Sequence, residues 1–127
     1  MVCPENCVCY ALFVSCLHQN ASALPSNLPH DVRKLDFSFN HLDLEKTDFS
    51  HYWSLGELIL QHNNLSVLPG KRFASLRNLY KLDLSNNKLT FIETSAFEGL
   101  MNVHLLILEN NPTITEIKSR AFDGLNS

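Results

Sequence analysis

Four cysteines open the chain. Cys3, Cys7, Cys9 and Cys16 all fall within the first 16 residues, spaced C-x3-C-x-C-x6-C. Thiols this dense either hold a metal or oxidise in pairs. Zinc sites favour two Cys-x2-Cys pairs set well apart, and this spacing leaves little room for a tetrahedral cage. An even number of close cysteines reads instead as two disulfides stapling a small cap. Spacing alone allows three pairings. Disulfides persist in oxidising compartments, which places the chain outside the cytosol.

Outside the cytosol, asparagine can carry a glycan. Asn20-Ala21-Ser22 and Asn64-Leu65-Ser66 are acceptor sequons. Asn111-Pro112-Thr113 imitates one, but the central proline blocks it. Six histidines are scattered at His18, His30, His41, His51, His62 and His104. No pair of them has helical metal spacing with a third ligand. No Ser-His-Asp arrangement, phosphate loop or metal set stands out, so the sequence offers no catalytic residue, no metal site and no cofactor.

The 127 residues make one domain's worth of chain. Apolar residues reach 45% and charged residues 18%, which suits a folded chain and not a disordered one. A net charge of −3 gives no reason to expect nucleic acid or an anionic membrane as partner. No run of 18 apolar residues exists to span a bilayer. Met1-Val2 runs straight into Cys3, without the basic start and apolar core of a secretory signal.

The elements that must carry these residues repeat. "VRKLDFSFNHL" (32–42), "LGELILQHNNL" (55–65), "LYKLDLSNNKL" (79–89) and "VHLLILENNPT" (103–113) fit L-x-x-L-x-L-x-x-N-x-L, with Val or Phe for Leu at some positions and the last position failing only in the fourth. Phe49, Phe73, Phe97 and Phe122 trail them, and Leu76, Leu100 and Leu125 follow three residues after the last three. A fixed period of this length marks a solenoid. The L-x-L core alternates with period two, so it is a short strand. Its inward residues are Leu35 and Phe37, Leu58 and Leu60, Leu82 and Leu84, Leu106 and Leu108. One such strand cannot bury its apolar face alone, but copies stacked as a parallel sheet can. Asn40, Asn63, Asn87 and Asn111 fall just after each strand. There the chain must turn, and a buried amide supplies both donors and an acceptor to the turn.

These repeats, with the cysteine run "CPENCVC" and Cys16 before them, resemble the extracellular leucine-rich repeat proteins over nearly the whole chain. The resemblance implies an α/β solenoid, a curved horseshoe with a parallel sheet on its concave face and loops or short helical turns behind. It implies a cysteine-rich N-terminal cap over residues 1–31, paired Cys3–Cys9 and Cys7–Cys16. "ALPSNLP" (23–29) resembles the family's link from cap to first repeat. Four repeats would follow, at about 32–54, 55–78, 79–102 and 103–127. Such proteins usually close with a second cysteine cap. Here the chain reaches "FDGLNS" without one, so it reads as the N-terminal part of a longer ectodomain.

Residues between the inward leucines should face the concave side. Lys34, Glu57 and Lys81 alternate in sign and read as a solvated charge ladder. Asp36, Ile59, Asp83 and Ile107 form the next column, Ser38, Gln61, Ser85 and Glu109 another, and Phe39, His62, Asn86 and Asn110 the last. Phe39, Ile59, Leu105 and Ile107 are apolar where a solvated strand face would be polar. Together with Gln61, His62 and Glu109 they are the expected ligand-binding residues, an apolar cluster with a polar rim. His62 would make such binding sensitive to pH. Tyr52 and Trp53 should pack within the irregular first coil.

The expected role is a non-catalytic recognition module of a secreted or cell-surface protein, taking a protein ligand or co-receptor on its concave face. A structural matrix protein that self-associates, with a second copy as partner, is the alternative. A membrane would be reached only through a segment this chain lacks. The fourth repeat also slips. Ile114 falls where position 113 was due, and Phe122 comes one residue late, as if one residue were inserted beside Pro112.

Overall fold

The computed structural model describes residues 2–114 and the backbone of Glu116 and Ile117. Phe122 and Leu125, expected in the last coil, lie outside the described residues.

The repeated leucines do form one sheet. Strands β3 (Lys34–Asp36), β4 (Glu57–Ile59), β6 (Lys81–Asp83) and β8 (Leu105–Ile107) run parallel. Their register places Leu35, Leu58, Leu82 and Leu106 opposite one another. The first three of these are at most 1% exposed. Leu106 and Leu108 are half-buried, packed against the same core. A leucine stacked on both sides, such as Leu82, should cost about 2–5 kcal/mol to truncate to alanine.

The cap joins this sheet directly. Strands β1 (Val8–Tyr10) and β2 (Phe13–Ser15) form an antiparallel hairpin, and β2 pairs parallel with β3, Val14 opposite Leu35. Val14 and Cys16 are buried, so the cap behaves as a shortened first coil and covers the apolar end of the stack. The disulfides Cys3–Cys9 and Cys7–Cys16 hold the hairpin, with Cα separations of 5.9 and 4.4 Å. This is the pairing the resemblance implies, and no cysteine is free.

Behind the sheet, Phe49, Phe73 and Phe97 are buried in one column. Each starts a turn in which the residue three later donates its N–H back to the phenylalanine carbonyl: Tyr52, Leu76 and Leu100. Tyr52 therefore fills the place of a leucine in the first coil, and it is buried. Trp53 does not follow it inward. Its side chain is 62% exposed, which corrects the expectation that it packs within the coil. The tyrosine alone fills the slot, and the next residue in the turn points away from it.

The return side carries a second sheet that the repeat pattern did not announce. β5 (Val67–Leu68), β7 (Phe91–Ile92) and β9 (Glu116–Ile117) pair in parallel. Ile92 lies opposite Ile117. Ile92 follows Asn87 by five residues and Ile117 follows Asn111 by six. The extra residue between Asn111 and β9 is thus real, and Thr113 Oγ1 donates to Leu89 O at 3.0 Å across the widened turn.

Candidate binding surface

The asparagine column fixes the rim that follows the strands. Asn40, Asn63, Asn87 and Asn111 are 1–7% exposed. Each donates Nδ2 to a carbonyl of the preceding coil: Cys16 at 2.8 Å, Phe37 at 3.0 Å, Leu60 at 2.9 Å and Leu84 at 3.0 Å. Each Oδ1 accepts backbone N–H from the same preceding coil, two at Asn40 (Gln19 and Ala21) and Asn87, and one, from Leu42 and Leu89, at Asn63 and Asn111. These amides are consumed by the fold. They are structural and not part of any outward site.

The same geometry places residues 18–22 of the cap. Gln19 and Ala21 donate to Asn40 as Asn63 and Leu65 donate to Asn87. "HQNAS" (18–22) is thus the coil equivalent of "HNNLS" (62–66). The two sequon asparagines, Asn20 and Asn64, occupy equivalent positions on one rim. Both are exposed, with left-handed φ of 50° and 55°. His41 stands between them in the column, and Asn64 Nδ2 lies 3.3 Å from its Nδ1.

Beside that column the backbone takes left-handed φ at His18 (55°), Phe39 (61°), His62 (55°), Asn86 (58°) and Asn110 (58°). Asparagine tolerates this conformation, but phenylalanine does so at a cost. The first three rings stack: His18 to Phe39 at 4.5 Å between centroids and Phe39 to His62 at 4.4 Å. No sequence pattern signalled that His18 would join Phe39 and His62; recognising the cap as a coil would have.

Across the concave face the expected residues separate. Leu105 is 48% and Phe39 43% exposed. Ile59 and Ile107 are half-buried, and both stand opposite Asp83 in adjacent strands. Gln61 is half-buried and donates Nε2 to Asp83 Oδ2 at 2.7 Å. His62 and Glu109 are exposed. Ser38 and Ser85, expected in the same outward column, are buried: each backbone N–H is drawn onto the aspartate two residues before it, Asp36 or Asp83. Lys34 and Glu57 do pair, at 3.4 Å.

The opposite rim, preceding the strands, is more aromatic than the sequence suggested. Arg33 O, Gly56 O and Tyr80 O each accept two N–H groups from the next coil, which aligns Arg33, Gly56, Tyr80 and His104 in one column. Phe13, Trp53 and Tyr80 are 50%, 62% and 47% exposed there. The Glu57 carboxylate, taking the Tyr80 hydroxyl as a hydrogen-bond donor, raises that phenol above its usual range.

The described residues hold no cluster of three or more His, Cys, Asp or Glu that could take a metal. Nor do they include a helix long and apolar enough to cross a membrane.

Known proteins share this arrangement. Human amphoterin-induced protein 2 is 36% identical over 80 residues, 61% of this chain and 15% of that protein. Bovine asporin is 39% identical over 59 residues, 46% of this chain and 16% of that one. Human leucine-rich repeats and immunoglobulin-like domains protein 3 is 37% identical over 68 residues, 53% of this chain and 6% of that protein. The chain therefore spans only a small part of the relatives it matches. Among solved structures, human 5T4 (trophoblast glycoprotein, Wnt-activated inhibitory factor 1) is 28% identical with a TM-score of 0.60, over 96% of this chain and 38% of that one. TLR13, solved with ssRNA13, is 26% identical with a TM-score of 0.74, over 87% of this chain and 16% of that one. The leucine rich repeat model matches residues 30–89, 53–112 and 77–127, which together run from 30 to 127, so this chain belongs to the leucine rich repeat family.

Proposed function

We propose that this chain is the recognition segment of a secreted or cell-surface leucine-rich repeat protein, non-catalytic, with residues 1–31 as its cap. It takes a protein ligand or co-receptor on the concave face through Phe39, Ile59, Gln61, His62, Leu105, Ile107 and Glu109. The observation that carries this reading is the apolar content of a solvated sheet face. Leu105 and Phe39 are nearly half exposed, and Ile59 and Ile107 flank Asp83 between them. Apolar anchors ringed by polar side chains are what an interface core requires. N-glycans on Asn20 and Asn64 would sit along the far rim, clear of the sheet centre. The name of one relative, with its immunoglobulin-like domains, supports a protein with further domains beyond this one.

The test is binding of glycosylated chain to an array of recombinant ectodomains, itself included, beside the double variant Leu105→Asp/Ile107→Asp. The variant should lose at least one specific partner while its melting temperature changes little. Every partner retained at full affinity would move the site off this face. Sedimentation addresses the self-associating matrix alternative: a dimer persisting at about nanomolar concentration favours it over a monomeric receptor segment.

A further inference from the structure

Gly56 opens a notch in the rim that precedes the strands. Its neighbours in the column are Arg33 and Tyr80, and at this one place the side chain is missing. A Cβ at position 56 would meet Tyr80 Cε1 at 3.0 Å and Cδ1 at 3.3 Å, so the tyrosine ring leans over the glycine backbone. Phe13 and Trp53 add two more exposed rings to the walls, enclosing an open cavity of about 610 Å³. Three aromatic side chains are thereby left half in water around a single gap. Solvated rims rarely spend Trp, Tyr and Phe this way, whereas binding sites concentrate them as anchors.

The charges at the notch select the occupant. Lys34 and Glu57 neutralise each other at 3.4 Å. Arg33 lines the same cavity and is exposed, and its guanidinium has no hydrogen bond or ion pair among the described residues. The one uncompensated charge in the notch is therefore positive. A guanidinium beside aromatic walls fits a carboxylate held next to an apolar side chain. The two sequons lie on the opposite rim, so glycans there would leave the notch open.

We propose that this notch is a second binding site, which docks a segment of a protein partner pairing an Asp or Glu with a nearby Leu or Phe. The carboxylate meets Arg33 and the apolar side chain enters the gap at Gly56 between Trp53 and Tyr80. The site does not depend on the concave-face reading.

Trp53 is the only tryptophan of the chain, so its emission reports occupancy. The probe is an array of tryptophan-free synthetic peptides that place Asp or Glu within about three residues of Leu or Phe, the reach of one short extended segment. Counterparts carry Lys for the acid or Ala for the apolar residue. Acidic–apolar peptides should shift Trp53 emission saturably, and both sets of counterparts should not. Arg33→Glu should weaken binding about tenfold or more, the size of one charge-assisted contact. Arg33→Lys should retain part of the affinity. Gly56→Ala, which pushes the Tyr80 ring, should weaken binding with circular dichroism unchanged, whereas Leu105→Asp/Ile107→Asp should not matter. Lysine counterparts binding as well as acidic peptides, or Arg33→Glu binding as well as wild type, would overturn the proposal. So would a saturable response to neutral oligosaccharides with none to peptides.

Discussion

The Asn63 amide N–H donates to Asn87 Oδ1 at 2.8 Å, and Asn87 Nδ2 donates to Leu60 O at 2.9 Å in that same neighbouring coil. One side chain also closes its own turn, donating to Leu84 O at 3.0 Å and Ser85 O at 3.2 Å. Asn87→Ala would strip partners from buried N–H groups at Asn63 and Leu65 and from carbonyls on both coils. Unmet buried groups cost about 1–3 kcal/mol each, partly offset by relaxation. The expected loss is at least about 3 kcal/mol by urea denaturation. A loss under about 1 kcal/mol would mean that water enters and replaces the amide.

Much of this was legible beforehand because the repeat imposes it. Four copies of L-x-L-x-x-N in register leave one way to bury Leu35, Leu58 and Leu82, and one place for the asparagines. What escaped was whatever departs from the repeat. "LHQNAS" carries Gln19 and Ala21 where the motif has asparagine and leucine, so its place as a coil equivalent emerged only from the bonds of Gln19 and Ala21 to Asn40. Trp53 follows Tyr52, and composition cannot tell which ring enters the leucine slot. Ser38 and Ser85 alternate correctly for outward residues, but each backbone N–H turns onto the aspartate two residues before it, and at Ser85 the hydroxyl donates there as well. The notch at Gly56 depends on the absence of a side chain in a column whose members lie about two dozen residues apart.

Phe39 sets ring stacking against backbone conformation. Its φ of 61° is where L side chains pay about 1–2 kcal/mol, and its contacts with His18 and His62 return about 0.5–1.5 kcal/mol. Asn86 and Asn110 fill the same place in later coils. Phe39→Asn should therefore change stability by less than about 1 kcal/mol, since lost stacking and relieved strain oppose each other. Phe39→Val loses the stack and adds a β-branch at positive φ, so it should be less stable than the asparagine variant by about 1–2 kcal/mol. Chemical denaturation of both variants decides it. If valine proves the more stable, the φ of this position relaxes on substitution and the strain argument is void.

Tyr52 should make the fold sensitive to alkali. Burial raises its phenol above the usual value of 10.0, and the Asp48 carboxylate nearby adds to the effect. Asp48 itself is lowered, chiefly by the Ser50 backbone N–H at 2.9 Å, so it is charged throughout this range. The sign follows from proton counting. Below pH 10 both folded and unfolded chains keep the Tyr52 proton, and its contribution is fully present. As pH rises past 10 the unfolded chain releases the proton first, so the unfolded state is favoured and stability falls until the folded phenol also ionises. Tyr80 is raised as well, but it stands in solvent and should add little. Thermal melts between about pH 8 and 11 should show wild type losing stability faster than Tyr52→Phe, with the two curves parallel below pH 10. Equal slopes above pH 10 would mean that the Tyr52 hydroxyl reaches solvent in the folded chain.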